Sequence, residues 1–229
     1  MRKQKLRTLK IIKPVIFVGI PHLGNLRAEL VYNLLSWQGR QDIEIHFFPH
    51  IQPTICARNT IVTEFLKTDM QYLFMIDADQ YVQRDPFLWA KYDLDIVGGL
   101  CYIIKGTDII PTILDKKVIE NKEWQLEDGY QVSEFIIDDL MEKDATGTGC
   151  IMIHRRVLEK MQSPWFEYIL NENGQLRIGN DFYFCEKAKQ LGFKTYIDIR
   201  LVSGHFSTID ITAIGRQFTL LNMQIAGLK

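Results

Sequence analysis

The chain is short of cysteine, of net charge and of long apolar runs, and each shortage closes off a class of protein. Its four cysteines, Cys56, Cys101, Cys150 and Cys185, are widely spaced in 229 residues and form no Cys-x-x-Cys pair. Neither a zinc ribbon nor a dithiol redox centre therefore has its ligands at workable spacing. Each cysteine sits among apolar neighbours and reads as a buried, reduced thiol, as expected in a reducing compartment. No window reaches the roughly 20 consecutive apolar residues of a membrane helix. The basic start does not read as a secretory leader, because Ile11-Ile12 runs into Lys13-Pro14 where an apolar core would continue. A cytoplasmic protein is expected. No Gly-x-Gly-x-x-Gly follows the first strand and no Gly-x-x-x-x-Gly-Lys-Ser/Thr occurs, which disfavours dinucleotide dehydrogenases and P-loop NTPases. A formal net charge of -1 disfavours nucleic acid as the principal partner.

What is present is a large apolar fraction, 47% of 229 residues, enough for a substantial core in a single domain over positions 14–229. Positions 1–13 form a basic arm in which Arg2, Lys3, Lys5, Arg7, Lys10 and Lys13 occur without an acidic residue. The arm reads first as a solubilising terminus, with peripheral contact to anionic lipid or to nucleic acid, including modified DNA as an acceptor, as the alternative. Beyond it, Pro14 to Ile20 predicts a buried strand and the loop Pro21 to Gly24 follows. Leu26, Leu30, Val31, Leu34 and Leu35 then recur at helical spacing from Asn25 to about Trp37. Ile43 to Phe48 predicts a second strand, Ile55 to Leu66 a second helix, and Tyr72 to Ile76 a third strand. Such alternation means a mostly parallel α/β sheet flanked by helices, with these strand ends on one rim.

The third strand is wholly apolar and stops at Asp77-Ala78-Asp79. Ligands of open α/β sheets bind beyond the carboxyl ends of the strands, where two hard oxygen donors can hold Mg²⁺ or Mn²⁺ against a pyrophosphate. Aspartates capping a turn would be the plainer account, but the buried strand before them favours a site. In the second helix, Arg58 and Asn59 fall near the same rim, and Arg58 is placed either on a nucleotide phosphate or base edge or in a surface ion pair with Glu64 or with a carboxylate across the loop.

The remaining chain is read more coarsely. Asp85-Pro86 opens a short helix, and Leu94 to Leu100 is a fourth strand in which Gly98-Gly99 implies a bulge or a close backbone approach. Positions 105–142 predict a β-rich insertion, with Trp124 and Tyr130 in a small hairpin core or against a sugar. Asp144 to Cys150 is glycine-rich and runs into the strand Ile151-Met152-Ile153 and a helix from Arg155 to Met161. Trp165 either covers a sugar face or packs in the core. Asn180 is a plausible N-cap for a helix that carries Asp181 in its first turn and stops at Gly192. Thr195 to Ile199 is a last strand, Ser203 to Phe206 its terminal loop, and positions 212–228 a final helix.

In order and spacing these pieces resemble the nucleotide-sugar glycosyltransferases of the GT-A fold, the family-2-like group most of all. The match rests on the first strand and its loop, Ala57-Arg58-Asn59 ahead of the Asp77-Ala78-Asp79 strand, the Gly147-Thr148-Gly149-Cys150 turn, and Asn180-Asp181 opening a helix that ends in Leu191-Gly192-Phe193. The resemblance implies a GT-A, Rossmann-like sheet and a metal-dependent transfer of a sugar from a nucleoside-diphosphate sugar to a glycan or other hydroxyl acceptor, with inversion. Donor contacts would come from Ile20, Arg58, Asn59, Asp77, Ala78 and Asp79, and acceptor-side contacts from Gly147, Thr148, Gly149 and Trp165. Asp79, His205 and Asp77 would hold the Mn²⁺ or Mg²⁺, and Asp181 would be the catalytic base.

Two departures from the family pattern stand out. The acidic residue expected just after the second strand is replaced by Phe48-Pro49-His50, and the base motif has Asn180 ahead of Asp181 where two acidic residues are common. A sugar-1-phosphate nucleotidyltransferase would share the sheet, but Gly19-Ile20-Pro21-His22-Leu23-Gly24 lacks the Arg- and Lys-bearing glycine loop that such an enzyme needs. A non-catalytic nucleotide-sugar or glycan-binding module is the remaining rival, and the joint presence of Asp77, Asp79, Asp181 and His205 speaks against it.

Overall fold

The structure is a computed structural model that describes residues 15–105, 108–116, 130–132 and 139–208, with positions 219 and 223. The basic arm, Trp124 and nearly all of the predicted final helix lie outside these residues.

In chain order the elements begin with β1 (Ile16–His22), α1 (Ala28–Trp37), β2 (Ile43–Pro49), α2 (Thr54–Leu66), β3 (Tyr72–Ile76) and β4 (Gln80–Val82). A 3₁₀ segment, Pro86–Tyr92, leads to β5 (Ile96–Leu100), β6 (Tyr102–Lys105), β7 (Asp108–Pro111), β8 (Ile113–Lys116), β9 (Tyr130–Val132), β10 (Leu140–Lys143), β11 (Ala145–Thr146) and β12 (Cys150–His154). The chain continues through α3 (Arg155–Lys160), β13 (Ile169–Leu170), β14 (Leu176–Ile178), α4 (Asn180–Gln190) and β15 (Thr195–His205).

The main sheet runs β10-β15-β5-β12-β3-β1-β2, with β4 added onto β15. β1 is parallel to both β2 and β3, and β5 is parallel to β15. β12 lies between β3 and β5 and is antiparallel to both, with Cys150 opposite Ile76. The sheet is therefore mixed. The reversal of β12 sets its amino end beside the carboxyl end of β3.

The apolar run of β3 is continuous because both of its faces are covered. Leu73 and Met75 point to a core layer with Phe65 of α2, Val157 of α3 and Phe184 of α4. Phe74 and Ile76 point the other way, towards Leu30 and Trp37 of α1 and Trp89 of the 3₁₀ segment. Burial of one such side chain contributes roughly 1.5–3 kcal/mol, so the two layers dominate the stability of the sheet. α4 stops as predicted: Gly192 takes φ +88, Phe193 N donates to Ala188 O at 3.1 Å and Gly192 N to Lys189 O at 2.9 Å, closing the last turn in a Schellman arrangement.

Several boundaries differ from the sequence reading. α1 starts at Ala28, three residues later than expected, because the extended Arg27 gives its N–H to Ala78 O at 3.1 Å and not to a helical turn. Asn180 is inside α4, and the extended residue before the helix is Gly179, with no side-chain cap. Ser203 and Gly204 belong to no terminal loop, because β15 runs through a register break between Asp198 and Val202 and continues to His205. Its end pairs with β4, His205 lying opposite Gln80. Much of the β-rich insertion predicted over 105–142 falls outside the described residues.

Gly98 and Gly99 lie in β5 where the backbone is approached closely. A Cβ on Gly98 would sit 2.2 Å from Thr146 Oγ1, and one on Gly99 2.8 Å from Leu201 Cδ2. Gly98→Ala is expected to destabilise the protein by about 1–3 kcal/mol through overpacking, and the loss is expected to shrink in Gly98→Ala/Thr146→Ala. Chemical denaturation of the single and double variants measures this, and equal losses in the two backgrounds would show that the contact is not the cause.

Candidate functional site

The carboxyl ends of β1, β2 and β3 open into a cleft of about 740 Å³. Its walls include Pro21 and His22 at the end of β1, Arg27 before α1, Gln52 and Pro53 before α2, Asp77, Ala78 and Asp79 after β3, and Tyr168.

The turn after β3 is held by its neighbours on every side. Asp77 N donates to Gly149 O at 2.9 Å and Gln80 N to Asp77 O at 3.0 Å, while Ala78 O accepts from Arg27 N at 3.1 Å and Asp79 O from Phe206 N at 2.9 Å. Backbone groups at this rim are thus satisfied, and the two carboxylates are presented from a fixed frame. Gly149 is indispensable to the packing: a Cβ there would fall 2.0 Å from Gln80 Nε2 and 2.9 Å from Asp77 Oδ2. Gln80 itself is buried and its Oε1 accepts from Ser203 Oγ at 2.7 Å.

Asp79 and Asp77 have different surroundings. Asp79 is half exposed and its Oδ2 lies 3.6 Å from His205 Nε2, an ion-pair distance too long for a hydrogen bond. His205 Nδ1 is 3.0 Å from Tyr102 O, so Nδ1 carries a proton and donates, and Nε2 is the nitrogen turned to Asp79. The Asp79 carboxylate is the main cause that pushes His205 up to about 11, and His205 in turn holds Asp79 below the usual carboxylate range. Asp77 turns instead to Arg58, whose Nη2 donates to Asp77 Oδ2 at 3.1 Å. Burial is the larger influence on Asp77 and raises its carboxyl, with the Arg58 charge pulling against it.

Arg58 is buried, its side chain only 6% exposed. From Nη1 it donates to Asp181 Oδ1 at 2.8 Å and also to Asn180 Oδ1. Thr148 Oγ1 donates to the same Asp181 Oδ1 at 2.6 Å. The acceptor-side turn, the end of β3 and the start of α4 are consequently joined through one guanidinium and one hydroxyl.

The predicted residues divide on these contacts. Asp77, Ala78 and Asp79 line the cleft; His205 adjoins it through Asp79, and Asp181 through Arg58. Arg58 pairs with carboxylates of other chain segments, Asp77 and Asp181, and not with Glu64, and the pairing is buried and not on the surface. Ile20 has its side chain in the core layer of α1, and the residues that reach the cleft from this strand are Pro21 and His22. Asn59 is consumed structurally: Oδ1 accepts from Trp165 N at 2.9 Å and Phe166 N at 3.1 Å, and Nδ2 donates to Phe166 O at 2.8 Å. Trp165 packs against the core and its Nε1 donates to Leu158 O at 3.0 Å, so its ring is not offered to a sugar. Gly147 has only ordinary contact with Thr112. An aromatic that lines the cleft, and that the sequence reading did not single out, is Tyr168.

Among the described residues no group of three or more His, Cys, Asp or Glu side chains is assembled to hold a metal ion. The three-ligand set Asp77, Asp79 and His205 is thus reduced to Asp79 and His205, because Asp77 is directed to Arg58. Once His205 gives up its Nε2 proton, as a metal-ligating imidazole must, this pair is a suitable donor set for a divalent cation. A metal-binding histidine usually donates its other ring N–H to a backbone carbonyl, as His205 does to Tyr102, and Mg²⁺ sites often use one or two protein ligands, with substrate phosphates and water completing the shell. Among the described residues no helix is long and apolar enough to cross a membrane.

No protein-family model matches the sequence, and no curated protein matches it. Solved structures do. The chain is similar to A197 from STIV, with a TM-score of 0.61 and 23% identity over 84% of this chain and 86% of that one. It is also similar to GalNAc-T7, solved with UDP, GalNAc and Mn²⁺, with a TM-score of 0.54 and 14% identity over 86% of this chain. The match spans only 45% of the GalNAc-T7 chain. At these identities the likeness establishes a shared fold, a mixed α/β sheet flanked by helices that a glycosyltransferase also uses.

Proposed function

We propose that the chain is a metal-dependent glycosyltransferase that moves a sugar from a nucleoside-diphosphate sugar to a hydroxyl acceptor with inversion at the anomeric carbon. The observation that carries this reading is that Asp77 and Asp79 line one cleft, Asp79 beside His205 and Asp77 joined through Arg58 to Asp181. The first pair is chemically suited to a cation and a diphosphate; the second brings a carboxylate within reach of an acceptor. The fold shared with GalNAc-T7 agrees with it.

In this reading Asp79 and His205 would hold Mn²⁺ or Mg²⁺. Bound there, the cation supplies charge neutralisation to the departing nucleoside diphosphate. The protein's own groups do the rest. Pro21, Gln52 and Pro53 shape the wall against the nucleoside, and Asp77 faces its ribose. The acceptor hydroxyl is placed beside Asp181, which takes its proton as the oxygen attacks the anomeric carbon. The new glycosidic bond forms as the bond from that carbon to the diphosphate oxygen breaks, and the electron pair leaves with the diphosphate. Tyr168, which lines the same cleft, covers the sugar and limits water.

One observation favours the binding-module alternative. Asp181 Oδ1 already accepts two hydrogen bonds, so only its other oxygen can act as base. A panel of sugar nucleotides incubated with Mn²⁺ separates the readings. A transferase releases nucleoside diphosphate and stops releasing it in excess chelator, whereas a binding module shifts in thermal stability with the donor and releases nothing. Asp79→Ala is expected to lower donor turnover by at least about 100-fold without changing the melting temperature of the ligand-free protein by more than a few degrees. Full turnover in that variant removes the metal role. For Asp181→Asn the expected loss is about 10²–10⁴-fold in transfer with donor binding retained, measured by product formation and by donor-dependent thermal shift. Loss of donor binding to the same extent would make Asp181 structural.

A further inference from the structure

We infer that Arg58 is a positioning residue: one buried guanidinium sets the donor-side carboxylate Asp77 and the acceptor-side carboxylate Asp181 at a fixed mutual distance, without itself touching the donor. The inference rests on the transferase reading only for its effect on catalysis. The bridge itself stands on contacts that hold whatever the chemistry.

Three elements far apart in the chain meet at this side chain: α2 supplies Arg58, the end of β3 supplies Asp77, and the first turn of α4 supplies Asn180 and Asp181. Nη2 serves Asp77 and Nη1 serves Asp181 and Asn180, so the planar fork spans the gap with one branch on each side. Nε, by contrast, is buried without a hydrogen-bond partner, so the polar engagement of the side chain runs through its two terminal nitrogens. Its flank rests near the Phe166 ring, 6.0 Å from Cζ to centroid. The residues that wall the cleft include Asp77 but not Arg58. A guanidinium so placed acts on substrate only through the carboxylates it holds.

The chemistry explains why an arginine is needed. Asp77 and Asp181 carry like charges on either side of the fork, and the guanidinium between them meets each at hydrogen-bond distance. Asp181 Oδ1 is doubly anchored, by Arg58 and by Thr148, so the carboxyl plane is fixed and Oδ2 becomes the oxygen that receives a proton. Lysine keeps the charge but lacks the fork, and cannot serve both branches in this geometry. A displacement of the base by about 1 Å is enough to cost roughly 100-fold in rate.

Two measurements test the inference. In Arg58→Lys, kcat for transfer is expected to fall by about 100-fold with the donor KM within about threefold of the wild type, a split that general loss of structure would not give. Unchanged kcat, or a fall traceable wholly to KM, overturns the positioning role. The second is a thermal cycle on the ligand-free protein. Arg58→Met leaves two carboxylates without their cation and is expected to lower the melting temperature by about 10 °C, but by less than half as much in the Asp77→Asn/Asp181→Asn background. Equal losses in both backgrounds show no bridge and overturn the inference. Should the lysine variant fail to fold, the cycle alone decides. If wild-type protein releases no nucleoside diphosphate from any donor, the transferase reading falls, while the cycle still reports on the bridge.

Discussion

A guanidinium buried between two carboxylates is a costly arrangement unless every partner is in place, and the rim of this sheet is arranged around that condition. Removing a charge from water costs several kcal/mol, and only close opposite charge with good geometry offsets it. Arg58 keeps its proton against the pull of burial because Asp77 and Asp181 both face it. The consequence is a division among three aspartates that converge on the same rim. Two are engaged by Arg58. Asp79 is not, and its charge is met instead by His205 and by the nearby Arg27. The carboxylate left for an external cation is the half-exposed one, which is also the one placed to lose its internal partner at least cost.

The frame that carries these charges is made of backbone. Gly149, Arg27 and Phe206 each bond a peptide group of the turn between β3 and β4, so Asp77 and Asp79 cannot move independently of the first loop, the glycine turn and the end of β15. His205 reaches the site only because β15 breaks register after Asp198 and carries on to pair with β4. Gly204 permits that pairing: a Cβ on it would fall 2.0 Å from Tyr81 Cε1. Tyr81 then leans towards Phe206 at 5.8 Å between centroids, and Arg27 lies 5.0 Å over the other residue of that pair, Phe206. A cation-π contact of this kind contributes about 0.5–1 kcal/mol, modest in energy but enough to bias where an exposed arginine rests beside the cleft.

How much of this was legible in the sequence follows from the range of each interaction. β1, β2, β3, α2 and the stop of α4 at Gly192 are local signals, an apolar run, a helical period or a positive φ, and they stand within a residue or two of where the residues predicted them, β1 running on through Pro21 to His22. The rim position of Asp77 and Asp79 was legible for the same reason, because a strand buried on both faces has to end where its first carboxylate appears. The structural engagement of Asn59 was not legible, since its partners lie far away along the chain: the Asn59 amide serves the backbone of residues 165–166, about a hundred positions on. The Arg58 bridge depends on Asn180 and Asp181, still further away. Nothing in the composition around Arg58 distinguishes a buried hub from a projecting phosphate ligand. The extension of β15 was hidden by Ser203-Gly204, which read as a turn because a glycine needed for close packing and a glycine needed for a turn look alike in a sequence.

The direction of β12 is what turns a sheet edge into a two-sided site. Had this strand run parallel to β3, the Gly147–Thr148–Gly149 turn before it would lie at the opposite edge, and Thr148 could not reach Asp181. Running antiparallel with Cys150 opposite Ile76, it delivers its preceding turn to the rim at which β3 delivers Asp77. The closeness that results is tight enough to exclude any side chain at position 149, while the next residue back, Thr148, is fully buried and spends its hydroxyl on Asp181. Two chain segments of opposite direction thereby place a donor-side and an acceptor-side carboxylate in one charge network, and neither segment could do so from a sheet of uniformly parallel strands.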